Sequence, residues 1–282
     1  MPQRIYQGHR VAFLTQHGKQ TLLQAPLETA LGCHLVHTQG VDTDSLGSFT
    51  RETDRAGSQL DAARQKAHLG MSLTGAQIGL ASEGAFSPDP YTGLMMWDTE
   101  LLLWVDRGRQ LEIPVWVQGP GQSLHRTVRD WPELMAFAQA AQFPSHQLVL
   151  RPDHPDHPNI FKGVGDEQAL AHAFERAMAL SEHGCVFVEN DLRAFANPTR
   201  QDLIRQAGQK LVQRLLCTCP ACNAPGYAVM SLLPGRACRA CGAATRLPVA
   251  ELWRCLTCGH EQTVAVQDQT LADPMRCDQC NP

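Results

Sequence analysis

The sequence predicts an α/β body, a mixed sheet with flanking helices, followed by two small four-cysteine zinc ribbons. Three observations predict it. Strand-like and helix-like segments alternate up to about residue 200. The chain has 282 residues, 43% hydrophobic and only 18% charged, enough to bury a sizeable core. Of its 11 cysteines, all but Cys33 and Cys185 fall within 217–282, and eight of those nine form C-x-x-C pairs.

The elements follow in order. Segments 10–14 (RVAFL) and 34–38 (HLVHT) read as strands flanking a helix over 20–31. A helix starts at Ser58, where Ser58-x-x-Asp61 has the form of a capping box and Leu60, Ala63 and Ala67 fall at helical spacing. Strands are expected at 77–81, 100–106 and 112–117, then a helix at 131–142 and a strand at 146–151. The helix over 166–182 carries Leu170, Phe174, Ala177 and Met178 on one face and leads into a strand at 185–189. The last helix, 199–216, starts at Thr199-x-x-Asp202 and runs directly into the first cysteine pair. The expected layout is therefore a body over 1–198, a connecting helix over 199–216 and a double ribbon over 217–282.

Composition excludes several classes. With 24 basic against 28 acidic residues the chain is no polycation built to coat nucleic acid. Apolar runs such as 101–105 are too short to span a membrane, and the start, MPQRIYQGHRVAF, has no signal-peptide core, so a cytoplasmic protein without membrane association is expected. Walker, G-x-S-x-G and H-E-x-x-H motifs do not occur.

The cysteine pairs are the strongest signal. Cys219 and Cys222 precede Cys238 and Cys241 by 15 residues, and Cys255 and Cys258 precede Cys277 and Cys280 by 18, so each consecutive two pairs match the spacing of one zinc site. A C-x-x-C turn lets two thiolates meet one ion, and a second such pair closes a tetrahedron with Zn–S near ~2.3 Å. Four thiolates leave no open position, so two structural zinc ions are expected. Gly242 and Gly259, each following a pair, suit a turn that needs positive φ. Cys217 is a spare that could replace Cys219. In 217–282 five arginines and no lysine stand against five acids, which favours a scaffold or a docking module for a protein or nucleic-acid partner over a phosphate-coating surface.

In the body, polar residues concentrate at 42–66, with Asp42, Asp44, Glu52, Arg55, Asp61 and Lys66 between a strand end and a helix start. Ligands of open α/β sheets gather at such places. Ser82-Glu83-Gly84, expected as a turn after the strand at 77–81, supplies a second carboxylate. Carboxylates from two loops could hold Mg²⁺, which usually shares its oxygen ligands with substrate phosphates, while Lys19, Arg55 and Lys66 face those phosphates. Arg193 and Arg200, around a strand end and a helix start, could clamp another phosphate.

The string Asp61-Ala62-Ala63-x-x-Lys66-Ala67, with Glu52-Thr53 before it and Ser82-Glu83-Gly84 after it, is similar to motifs of the inosine triphosphatase-like nucleotide pyrophosphatases. That resemblance spans about residues 10–110 and implies Mg²⁺-dependent cleavage of nucleoside triphosphates, with Glu52 and Glu83 on the metal side and Lys19 and Lys66 on phosphate. The sequence departs from that pattern at His17, at Asp61-Ala62 and at the single Glu83. The whole chain also resembles a bacterial family of unassigned function that joins such a body to paired ribbons, through 42–49 (DTDSLGSF), 52–67, 80–86 (LASEGAF), 100–106 (ELLLWVD), 192–200 (LRAFANPTR) and the terminal Cys277-x-x-Cys280-Asn281-Pro282. The function expected is a Mg²⁺-dependent hydrolase of nucleotide-like phosphates, with Glu52, Glu83 and Asp61 as its catalytic carboxylates. The alternative is a non-catalytic ribbon adaptor.

Overall fold

The computed structural model describes residues 5–38, 58–268 and 270–282. The chain divides into two compact units, Tyr6–Leu211 and a second that contains Val212–Pro282.

The first unit opens with β1 (Arg10–Leu14), α1 (Lys19–Leu31), β2 (His34–Thr38), α2 (Gln59–Thr74), β3 (Ile78–Pro88), β4 (Met96–Asp106) and β5 (Leu111–Pro120). They form a mixed sheet of order β2-β1-β3-β4-β5, parallel across β2, β1 and β3 and antiparallel beyond. The chain leaves β1 toward β2 on one side and returns through α2 to β3 on the other. The gap between β1 and β3 is therefore the point where strand order reverses.

α2 covers one face of this sheet with a stripe of small residues. Ala63, Ala67 and Met71 pack on Ala81, Leu101, Leu103 and Val105. The contact is close enough that a Cβ at Gly79 would lie 2.8 Å from the Ala67 carbonyl and the Met71 sulfur, so only glycine fits there. α1 lies on the other face with α5 (Pro198–Leu216), where a Cβ on Gly208 would come within 2.7 Å of Leu23.

A second, antiparallel sheet of order β6-β9-β7-β8 completes this unit, from β6 (His125–Val128), β7 (Leu148–Pro152), β8 (Phe161–Val164) and β9 (Val186–Asn190). α3 (Trp131–Ala140) and α4 (Glu167–Leu180) cover one of its faces, burying Leu134, Phe137, Leu170 and Ala177 against Val128, Leu148, Leu150, Val186 and Val188. The N-caps are Asp130 and Asp166, each accepting from the backbone three residues on.

The mixed α/β class stands, two local expectations change and two short strands are added. The Ser82-Glu83-Gly84 turn is the middle of β3, because pairing with β4 continues without a break from Ile78↔Asp106 to Pro88↔Met96. α5 is capped by Asn197, whose side chain accepts from the Arg200 N–H at 3.0 Å, while Thr199 hydrogen bonds to His146. Strands β6 and β8, four residues each, lacked a readable alternation.

The second unit holds a three-stranded antiparallel sheet of β10 (Ala228–Pro234), β11 (Pro248–Arg254) and β12 (Glu261–Ala265). Cys219, Tyr227 and Cys255 form its small buried core, flanked by Cys217 and Trp253.

Candidate functional sites

The cysteines form two tetrads, but not from consecutive pairs. Cys219 and Cys222 join Cys255 and Cys258, while Cys238 and Cys241 join Cys277 and Cys280. Strand direction imposes this exchange. The start of β10 pairs with the end of β11, Ala228↔Arg254, and the end of β10 with the start of β11, Pro234↔Pro248. The first and third pairs therefore meet at one end of the sheet. β10 has seven residues, so at ~3.3 Å per residue it carries the chain roughly 23 Å before the second pair, far beyond the reach of a single ion. β12 brings the chain back from Arg254↔Glu261 to Ala250↔Ala265, and a bridge between Cys238 and Ala272 sets the fourth pair beside the second.

The geometry fits a tetrahedral ion. Cys219–Cys258 and Cys238–Cys280 sulfurs lie 3.8 Å apart, and Cys222–Cys255 and Cys241–Cys277 3.6 Å apart. A tetrahedron with Zn–S near ~2.3 Å has S···S edges near ~3.8 Å. Backbone N–H groups of Ala221, Ala240 and Thr257 donate to Cys219, Cys238 and Cys255. The Cys241 amide, opposed by burial and aided by the Ala240 amide, pulls the Cys238 thiol down to about 7. Asn223, Gly242 and Gly259, each following a pair, sit at φ 58°, 74° and 73°, as the turn requires. The tetrads could thus hold two metal ions such as zinc. Cys217 belongs to neither. His154 and His157 have rings 5.7 Å apart, and no third ligand joins them among the described residues.

A second cluster lies where β1 ends beside β3. Lys19, the first residue of α1, reaches across to β3 and donates to the Ser82 hydroxyl at 3.0 Å and the Ser82 carbonyl at 3.2 Å. Its ammonium is 3.8 Å from Glu100 Oε2. Glu100 also takes a 2.5 Å bond from Arg200 Nε, and Arg200 Nη1 donates to the Leu192 carbonyl. Gly84 stands directly across from Glu100, and a Cβ there would collide with the Arg200 guanidinium, so glycine makes room for this pair. On the opposite sheet face, Lys66 of α2 meets Glu83 at 2.5 Å. Gln59, at the start of α2, donates to the carbonyls of Glu83 and Thr99 at 2.9 Å and ties α2 to both strands.

Asp98 completes the cluster. It shares a face of β4 with Glu100, is 0% exposed, and among the described residues neither of its oxygens has a hydrogen-bond partner. Burial first, then the charge of Glu100, raises its carboxyl to about 8, with Arg200 and Lys19 opposing. Burial lowers the Lys19 ammonium to about 8 against the pull of Glu100, while Arg200 adds to the lowering.

The expected site residues thus separate. Lys66 meets Glu83 on one face of β3, and Lys19 meets Ser82 on the other. Asp61 does not join them, because its oxygens accept from the Ser58 N–H and hydroxyl and from Arg64 on the exposed side of α2, where it caps the helix. Arg200 is 1% exposed and bound to Glu100, so it serves the cluster rather than clamping an anion from solvent. Arg193 holds Asp191 through Nε at 2.9 Å and Nη2 at 2.5 Å. Glu52, Arg55, Asp42 and Asp44 lie outside the described residues. Sequence reasoning missed Asp98 and Glu100. Their signal was two carboxylates at strand spacing leading into an apolar run.

The family described as a domain of unknown function (DUF6671) matches residues 66–282, most of the chain, and the chain belongs to it. No curated protein matches it. No helix among the described residues is long and apolar enough to cross a membrane.

Proposed function

We propose that this DUF6671 member is a Mg²⁺-dependent hydrolase of nucleotide-like phosphates, with two structural zinc ions in its cysteine tetrads. One observation carries the reading: Lys19 of α1 and Lys66 of α2 flank Ser82-Glu83 of β3, one on each sheet face, where strand order reverses. Buried cations held against carboxylates are costly to maintain for stability alone, since apolar replacements are often neutral or better. Glu83 is an oxygen donor of the kind Mg²⁺ takes, and bound Mg²⁺ would neutralise charge on a departing phosphate and activate water. With the ion bound, Lys66 would be released from Glu83 to meet a phosphate oxygen, and Lys19, on the other face of β3 at Ser82, would attract a second one. The resemblance to nucleotide pyrophosphatases supports the same roles.

The test is release of pyrophosphate and phosphate from a nucleotide panel with Mg²⁺ or Mn²⁺. Glu83→Gln is expected to lower turnover at least 100-fold with the fold intact. Silence of the wild type, with two zinc ions bound, would sink the hydrolase. The adaptor reading has its own support in Leu232, Val264 and Met275, apolar side chains that the second unit leaves exposed. It would then be tested by whether partner capture depends on 217–282.

A further inference from the structure

The sheet of the second unit has two edges, and they differ. β10 ends in Pro234, and its ladder with β11 shifts register twice, between Val229 and Ser231 and between Leu233 and Pro234. Proline and bulges blunt an edge against further pairing. β12 has neither. Its ladder with β11 runs without a shift from Arg254↔Glu261 to Ala250↔Ala265, it contains no lysine, and all five of its residues are exposed. Its one charge, Glu261, faces Arg254 of the same sheet at 3.5 Å.

The bonds that flank β12 fix the direction of its backbone groups. The Cys255 N–H donates to the His260 carbonyl, and the Val266 N–H donates to the Val249 carbonyl. An antiparallel ladder bonds at alternate pairs, so Gln262 and Val264 are the residues of β12 that bond to β11. The N–H and C=O groups of Glu261, Thr263 and Ala265 point away from it. Among the described residues no other segment hydrogen bonds to those groups.

We infer that β12 pairs with β12 of a second copy, antiparallel about a twofold axis at Thr263. In this register the strand is its own complement. Thr263 meets its own equivalent, a favourable cross-strand pair, and each Glu261 meets an Ala265, so no like charges face each other. All the outward-facing residues are used, and each facing pair exchanges both its N–H···O bonds. The joined sheet then ends on both sides in β10, the blunted strand, so the contact closes and leaves no open edge. A strand from an unrelated protein would have no such match built into this chain. The seam has five residues a side, which is small for a specific interface, so the dimer is weak and concentration-dependent. This surface is independent of the chemistry of the first unit.

Sedimentation of the full-length, zinc-loaded protein from about 10 μM to about 1 mM is expected to show a monomer–dimer equilibrium. Hydrogen exchange at both ends of that range locates the contact. The amides of Glu261, Thr263 and Ala265 should slow at high concentration, while those of Gln262 and Val264 stay slow at both. Thr263→Pro removes an outward donor without touching the bonds to β11, and should weaken association at least ~10-fold. Thr263→Lys keeps the donor but sets two ammonium groups opposite each other, and should do the same. Two bound zinc ions in each variant exclude a folding artefact. A protein that stays monomeric at the highest concentration overturns the inference. So does a dimer whose Thr263 amide still exchanges fast, or one that both variants leave unchanged.

Discussion

Asp98 makes the stability of the first unit depend on pH in a direction that can be worked out in advance. Its carboxyl rises from 3.8 to about 8 in the folded chain. Between those values the folded state keeps a proton that the unfolded state has lost, so stability falls as pH rises, by about 1.4 kcal/mol per unit. From pH 3.8 to 7 the fall is on the order of 4 kcal/mol, a large part of a typical domain's stability. Lys19 works in the opposite sense at higher pH. Its folded value of about 8 lies below the usual 10.5, so between these the unfolded state holds the extra proton and stability recovers with pH. Together they predict a minimum near pH 8. Asp98→Asn removes the titrating group. Its amide, buried without partners, costs roughly 1–3 kcal/mol, so its net gain at pH 7 is small, but its slope between pH 4 and 8 should be flatter by about 1.4 kcal/mol per unit. Urea unfolding from pH 5 to 9, followed by hydrogen exchange of the β4 amides, reads this slope. Parallel pH profiles for the two proteins would refute a neutral Asp98 at pH 7.

Two further outcomes follow from geometry alone. Gly84→Ala places a methyl against Arg200 and Glu100 and should cost about 2–4 kcal/mol, since it overpacks a site and disturbs a buried ion pair; thermal melting of the first unit would show this, and an unchanged midpoint would mean the guanidinium moves aside freely. The cysteine exchange is read by counting zinc. The double variant Cys219→Ser with Cys258→Ser should lose one ion and keep one, whereas Cys219→Ser with Cys238→Ser should lose both; pairing of consecutive knuckles requires the second of these to lose only one.

What the sequence revealed, and what it hid, follows a physical division. Local signals were legible. The Ser58-x-x-Asp61 capping box is present in α2, and Gly242 and Gly259 take the positive φ their place after a C-x-x-C pair demands. The eight cysteines that make up the two tetrads were legible for the same reason, since a C-x-x-C turn is complete within four residues. Which pairs share an ion was not, because spacing along the chain says nothing about strand direction. The antiparallel sheet β10-β11-β12 carries alternate pairs to opposite ends, and that arrangement is a property of pairing between strands rather than of any one segment. Glu83 misled for a related reason. Ser82-Glu83-Gly84 has the composition of a turn, yet here glycine is a spacer inside a strand, needed because Glu100 and Arg200 arrive from β4 and α5 at the same point. Once β3 is continuous, Ser82 and Gly84 share one face and Glu83 takes the other, which assigns Lys19 and Arg200 to the first face and Lys66 to the second. The charged cluster is therefore not a loop cluster but a sheet threaded between cations from both sides. That is why its missing members, Asp98 and Glu100, lay in what read as a plain core strand.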